Sequence, residues 1–189
     1  MTKKQLRNIY KEKRKEISVH QLDKFNDLLL INFQKIPLPF INCVHTYLAS
    51  LKLVEADTAK IIRYLQFKNP EMKVVVPKID IHTGNLHHFH FDDAVELINN
   101  NYGIKEPREG NKIMEKEIDL VLVPLLAFDK NGFRVGYGKG FYDKFLFQCR
   151  NDVIKVGFSF FDPVDEIEDI NQFDITLDYC VTPNQLFTF

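Results

Sequence analysis

The sequence predicts a three-layer α/β/α sandwich around a largely parallel central sheet, and two observations carry that expectation. Helical and strand-like patterns alternate along the 189 residues, the arrangement of repeated strand–helix–strand units. The stretch Asp119 to Asp143, DLVLVPLLAFDKNGFRVGYGKGFYD, runs from an unbroken apolar strand into a turn with three alternating glycines. Leu120, Val121, Leu122 and Val123 in succession suit a strand buried on both faces, as in a parallel sheet covered by helices on each side. Rossmann-like sheets of this kind take ligands beyond the carboxyl ends of their strands. The glycine turn falls there.

Residues 2–16 and 19–35 are expected to be helical, the second with Ser18 as N-cap and Gln21 completing a capping box. Pro37 and Pro39 break the pattern, and residues 41–49 read as strand. Asp57 or Thr58 caps a helix with Ile61, Ile62 and Leu65 on one stripe, which Asn69-Pro70 ends. Strands follow over 72–79 and, past the Thr83-Gly84-Asn85 turn, over 86–91. Residues 117–123 feed the glycine turn, 140–150 form its helix, 153–158 the next strand and 179–182 a last one. No repeat, low-complexity tract or linker interrupts the chain, so one domain over 1–189 is expected.

Composition narrows the function classes. Hydrophobic residues at 45% and charged ones at 27% mark a globular protein and exclude a disordered one. No apolar stretch approaches the ~20 residues of a membrane span, and the basic N-terminus lacks the apolar core of a signal peptide. Cys43, Cys149 and Cys180 are an odd number without CxxC spacing, which fits buried thiols in a reducing compartment. A cytoplasmic protein without membrane contact is expected. Residues 1–20 carry seven Lys or Arg against two Glu, whereas no Lys or Arg follows Lys155 and seven acids do. The net charge of only −1 argues against nucleic acid as a partner. The basic arm is better placed to meet an anionic small molecule or the acidic tail.

The glycine turn has the parts of a phosphate site. Gly136, Gly138 and Gly140 let backbone N–H groups approach a ligand, a helix N-terminus follows, and Arg134 and Lys139 add positive charge. Asp143, one turn into the helix, is placed to hold Mg²⁺ against the same phosphates. GYGKG is neither GxxxxGK[ST] nor GxGxxG, because Phe141 stands where the latter needs a glycine. A bland glycine-rich connection with solvated Arg134 and Lys139 is the alternative. Lys3, Arg7 and Arg14 project from nearly one face of the first helix, a stripe of cations that could lie along a triphosphate or face water. The histidines of Leu86 to Phe91 read differently: alternation puts His88 and His90 on one face and His87 on the other, a half-exposed strand and not a zinc site.

Five blocks in order then resemble a known family: Lys3-Lys4-Gln5-Leu6-Arg7 with Arg14; Glu55-Ala56-Asp57-Thr58; Val76-Pro77-Lys78; Gly103-Ile104-Lys105-Glu106-Pro107; and Asp119 to Asp143. They are similar to those of 5-formyltetrahydrofolate cyclo-ligases. The last block is the specific one, matching VPxLAFD, G-x-R and GxGxGxYD through Val123-Pro124, Leu126 to Asp129, Gly132-Phe133-Arg134, and Gly136 to Asp143. Leu125 stands where the family usually has glycine, and Tyr137 and Lys139 where arginine and glycine are often found.

The resemblance implies an ATP- and Mg²⁺-dependent ring closure of 5-formyltetrahydrofolate to 5,10-methenyltetrahydrofolate. It implies ATP contacts from Lys3, Lys4, Gln5, Leu6, Arg7, Arg14 and the loop Arg134, Val135, Gly136, Tyr137, Gly138, Lys139, Gly140, Phe141 and Tyr142, with Arg134 and Lys139 catalytic. Glu55 and the loop residues Tyr137 to Phe141 would meet the folate, and Asp143 and Asp174 would ligate Mg²⁺. Tyr142, Phe141 and Phe128 are candidates for an apolar wall against the pterin. A monomer acting on ATP and 5-formyltetrahydrofolate is expected. A sugar-phosphate isomerase and a catalytically silent nucleotide-binding module remain as alternatives, the first needing neither the basic helix nor the Asp143 metal position.

Overall fold

The computed structural model describes residues 1–100 and 103–189. The first helix, α1 (Lys3–Lys15), starts at a capping box in which Thr2 and Gln5 exchange side-chain and backbone bonds. Ser18 and Gln21 do the same for α2 (Val19–Phe33), as their spacing predicts. The chain then forms β1 (Cys43–His45), α3 (Ala59–Lys68), the hairpin of β2 (Lys73–Asp80) and β3 (Asn85–His90), and a small ribbon of β4 (Leu97–Asn99) with β5 (Lys105–Pro107). Next come β6 (Leu120–Val123), a second small ribbon of β7 (Ala127–Phe128) with β8 (Arg134–Val135), α4 (Phe141–Gln148), β9 (Ile154–Phe158), β10 (Tyr179–Val181) and β11 (Leu186–Thr188). Asp57 accepts from the Ala59 N–H at 2.9 Å, so its carboxylate supplies the cap of α3 although Thr58 occupies the N-cap position.

Seven strands form the main sheet in the order β11-β10-β9-β6-β1-β2-β3. The inner five run parallel, and β3 and β11 close the two edges antiparallel. Alternation sorts the core. Val44, Leu120, Leu122 and Val156 face Leu29 and Phe33 of α2 and Ile61 and Leu65 of α3, while Cys43, Val121 and Val123 face Phe145 and Leu146 of α4. Burying a side chain such as Phe145 (2% exposed) contributes roughly 1.5–3 kcal/mol. This is the expected three-layer mixed α/β arrangement. The helix α1 stands apart from it: Leu6 and Tyr10 pack on Leu126, Ala127 and Val135, so the β7–β8 ribbon carries the N-terminal helix.

From β1 the chain crosses through α3 to β2 on one side, whereas β6 lies on the other side of β1. Strand order therefore reverses between β1 and β6, where open α/β sheets leave a crevice for ligands. The strand expected over 41–49 is only Cys43–His45 long. Its continuation leaves the sheet because the Thr46 hydroxyl meets that of Thr58 at 2.8 Å and Tyr47 donates to the Ala56 carbonyl. The half-exposed reading of the histidine strand holds for His87, whose side chain is 47% exposed, and fails for His88. His88 is 2% exposed, packed between His45 and Phe145 as α4 covers that face. No helix among the described residues is long and apolar enough to cross a membrane.

Candidate active site

Gly138 and Gly140 have φ of +93° and +70°, backbone that side chains with a Cβ rarely adopt. A Cβ at Gly138 would stand 3.1 Å from the Arg7 guanidinium carbon, so glycine lets this cation lie against the loop. Arg7 Nε also donates to the Gly136 carbonyl at 2.9 Å. Gly140 is the N-cap of α4 and no side chain caps that helix, so its first-turn N–H groups form one wall suited to an anion.

Two ion pairs flank the loop. Arg134, whose side chain is 5% exposed, donates to Asp143 Oδ1 at 2.8 Å and to the Ile175 carbonyl. Burial pulls its pKa down from the ordinary value, and the Asp143 and Asp174 carboxylates oppose that shift. The Ile175 N–H donates to Asp143 at 3.2 Å, bringing the segment of Asp174 beside the start of α4. Asp174 Oδ2 pairs with Lys3 Nζ and accepts from the Asn171 N–H at 2.7 Å. The bonds to Arg134, Ile175 and Asn171 all fall on one oxygen of each carboxylate, Oδ1 of Asp143 and Oδ2 of Asp174.

On the other side of the loop, the Tyr137 hydroxyl donates to Glu55 Oε1 at 2.6 Å and accepts from Arg14 Nη1 at 3.1 Å. Glu55 Oε2 accepts from the Ser50 N–H at 2.9 Å. Burial, and then the Glu55 charge, push the Tyr137 pKa up, so the hydroxyl keeps its proton and donates.

The expected residues converge. Lys3, Arg7, Glu55, Arg134, Gly136 to Asp143 and Asp174 line one cavity of about 1100 Å³. That lies at the top of the roughly 300–1,000 Å³ range of small-molecule pockets. Six cationic side chains in its lining face four carboxylates, an excess of two positive charges. Other expected residues lie elsewhere. Lys4 and Gln5 are exposed, and the Gln5 side chain is engaged by Thr2. Leu6 and Val135 are fully buried under α1. Arg14 is 3% exposed and sits behind Tyr137, bonded also to the Leu125 carbonyl. Phe128 is no pterin wall: it is fully buried against Phe187 and Phe189. Tyr47, Pro77 and Ile79 also line the cavity and were not anticipated. Tyr47 follows β1 and Pro77 and Ile79 lie in the second half of β2, toward the carboxyl ends where such sheets take ligands.

Fold and site together define an α/β protein with a cationic glycine cradle at the strand-order reversal of a parallel sheet. The chain belongs to the 5-formyltetrahydrofolate cyclo-ligase family, whose model matches residues 2–183. It is 29% identical over 137 residues to the 5-formyltetrahydrofolate cyclo-ligase of Escherichia coli (strain K12), covering 70% of this chain and 74% of that protein. It is 35% identical over 112 residues to the mitochondrial 5-formyltetrahydrofolate cyclo-ligase of Arabidopsis thaliana, covering 53% of this chain. The matched stretches span less than half of some curated relatives, 40% of the Arabidopsis protein and 32% of one from Mycoplasma pneumoniae. Among solved structures, 5,10-methenyltetrahydrofolate synthetase of Aquifex aeolicus superposes with a TM-score of 0.80 at 26% identity, covering 100% of this chain and 93% of the other. The synthetase of Mycoplasma pneumoniae gives 0.75 at 23% identity over 96% and 98% of the two chains, a likeness of fold.

Proposed function

We propose that this protein closes 5-formyltetrahydrofolate to 5,10-methenyltetrahydrofolate at the expense of ATP, releasing ADP and phosphate. The observation that carries this is the single cavity in which Lys3, Arg7, Arg134 and Lys139 share walls with Glu55, Tyr47, Phe141 and Tyr142. One part suits a polyphosphate, and the other suits a flat, hydrogen-bonding heterocycle.

The formyl group is a formamide, whose carbon is a poor electrophile and whose oxygen is a poor leaving group. Transfer of the γ-phosphoryl to that oxygen turns it into phosphate, which departs after the 10-nitrogen attacks the formyl carbon and gives up its proton. Such a path needs positioning and charge stabilisation more than a side-chain nucleophile. Arg134 and Lys139 would stabilise the transferring phosphoryl group, and Arg7 would hold the glycine loop around the nucleotide. Glu55 would accept hydrogen bonds from pterin N–H groups, with Phe141 and Tyr142 against its faces. Asp143 and Asp174 would hold Mg²⁺, which when bound neutralises charge on the phosphate oxygens. The near-neutral chain supports small-molecule substrates over nucleic acid.

Mixing the protein with MgATP and 5-formyltetrahydrofolate and following methenyl-folate absorbance tests this. A folate-dependent rise with stoichiometric phosphate release is expected. ATP binding with neither phosphate release nor folate conversion would favour the catalytically silent nucleotide-binding module instead.

A further inference from the structure

We propose that Tyr137 is a positioning residue that links the nucleotide loop to the folate carboxylate, so that filling either part of the cavity raises affinity for the other. The inference rests on the function proposed above and adds a coupling between its two subsites. Tyr137 is the central residue between Gly136 and Gly138, and Arg7 holds both neighbours, one by a hydrogen bond and one by contact. Its hydroxyl reaches across to Glu55 at 2.6 Å. Arg14 anchors the same hydroxyl from behind at 3.1 Å and is itself tied to the Leu125 carbonyl at the end of β6. The chain Leu125, Arg14, Tyr137, Glu55 therefore runs from just past the C-terminal end of β6, in mid-sheet, to the carboxylate without a gap, and the Ser50 N–H fixes the other oxygen of Glu55.

The chemistry of the link matters. A guanidinium at this position would pair with Glu55 and offset its charge. A phenol with a raised pKa orients the carboxylate with one neutral hydrogen bond and leaves its negative charge to a ligand's N–H groups. An anion seated on the loop adds to the contacts that hold Gly136 and Gly138, and with them the hydroxyl, so Glu55 departs less from this aim when folate arrives. By linkage, folate must favour nucleotide to the same degree.

The test is calorimetric titration of 5-formyltetrahydrofolate with and without MgADP, on wild type, Tyr137→Phe, Glu55→Gln and the double variant. MgADP is expected to tighten folate binding to the wild type. Tyr137→Phe should weaken folate binding roughly tenfold, as loss of a hydrogen bond to a charged group does, with a smaller change in MgADP affinity and loss of the nucleotide effect. The double variant should be little worse than Glu55→Gln alone, because both substitutions break one link. Should Tyr137→Phe fail to fold, loss of the nucleotide effect in Glu55→Gln supports the link and its retention overturns it. Additive losses, or wild-type coupling that survives in Tyr137→Phe, overturn the link and leave the proposed function standing. A wild type that binds no folate overturns both.

Discussion

Leu125 packs into the space that Gly157 leaves by lacking a side chain: a Cβ on Gly157 would stand 2.5 Å from Leu125 Cδ2 and 2.7 Å from Leu177 Cδ1. The family resemblance leads one to expect glycine at Leu125, and the leucine finds its room where Gly157 of β9 lacks a Cβ. The Leu125 carbonyl still serves Arg14, so the substitution alters packing and leaves the backbone contact in place. Gly157→Ala should destabilise by about 1–3 kcal/mol through overpacking, and Leu125→Ala by about 2–5 kcal/mol through the cavity it opens. In a Leu125→Gly background the cost of Gly157→Ala should shrink. Urea unfolding of these four variants and the wild type measures this, and equal costs in both backgrounds would show that the two residues do not share the space.

Gly138→Ala should act on the nucleotide more than on the fold. Its φ of +93° and the Arg7 guanidinium 3.1 Å from the added methyl both disfavour a side chain. The Michaelis constant for ATP is expected to rise by about tenfold, for a cost of about 1–2 kcal/mol in the loop. Gly136→Ala is the contrast, since a Cβ there meets no protein atom within 4 Å. It should unfold at the wild-type temperature, so any loss of ATP affinity it shows would come from the ligand itself.

Arg134→Met removes a buried cation and leaves the Asp143 carboxylate and the Ile175 carbonyl without that partner. Turnover is expected to fall by roughly 10²–10³, with a stability loss of about 3 kcal/mol from the broken pair. Asp143→Asn keeps an oxygen for Arg134 but strips the buried guanidinium of its counter-charge, so it should also cost about 3 kcal/mol while raising the Mg²⁺ concentration needed for half-maximal rate. A Mg²⁺ titration that matches wild type would take Asp143 out of the metal site.

His45 and His88 predict a pH dependence of stability. Burial, and then the charge on His87, lower the His88 pKa to about 4; burial, and then His88, hold His45 well below the usual imidazole value. Glu115 Oε1 lies 3.7 Å from His88 Nε2, too far for a hydrogen bond, so it does not restore the proton. Both rings are neutral in the folded protein, while the unfolded chain binds protons below about pH 6.5. Stability is therefore intact above that pH and is lost as pH falls through about 4, at up to about 1.4 kcal/mol per unit for each ring. Urea midpoints at several pH values check the slope. A His88→Leu variant should flatten it, and a flat wild-type profile would mean that the rings titrate while folded.

Much of the fold was legible because long elements advertise themselves. The Ser18 and Gln21 cap, the apolar run of β6 and the stripe of α3 each follow from side-chain spacing. The ribbon of β7 and β8 was not, because strands of two residues carry no period. It is held instead by Asp129, whose carboxylate accepts from the Asn131, Phe133 and Ile167 N–H groups. The capping box of α1 is present in Thr2 and Gln5, but Lys3 and Lys4 follow that cap in place of the apolar run that marks an N-terminus. Among the candidate site residues, Lys3, Arg7 and the glycine loop meet in one cavity, whereas Arg14 does not reach it. Angular period placed all three cations on one face, but eleven residues of helix separate Lys3 from Arg14. At 1.5 Å each that is about 16 Å, which carries Arg14 past the loop and under Tyr137.

The pairing of Lys3 with Asp174 joins positions 171 residues apart. A chain made from its N-terminus exposes the basic helix long before the acidic segment leaves the ribosome, and the β7–β8 platform for that helix also comes late. The cradle is therefore among the last parts that synthesis can complete, so a partly made chain has its cations but no closed pocket. Once closed, the same contact lets a bound nucleotide hold the two distant segments together. Saturating MgATP should thus slow the fraying of α1 from the molecule more than that of α3, a difference that amide hydrogen exchange resolves.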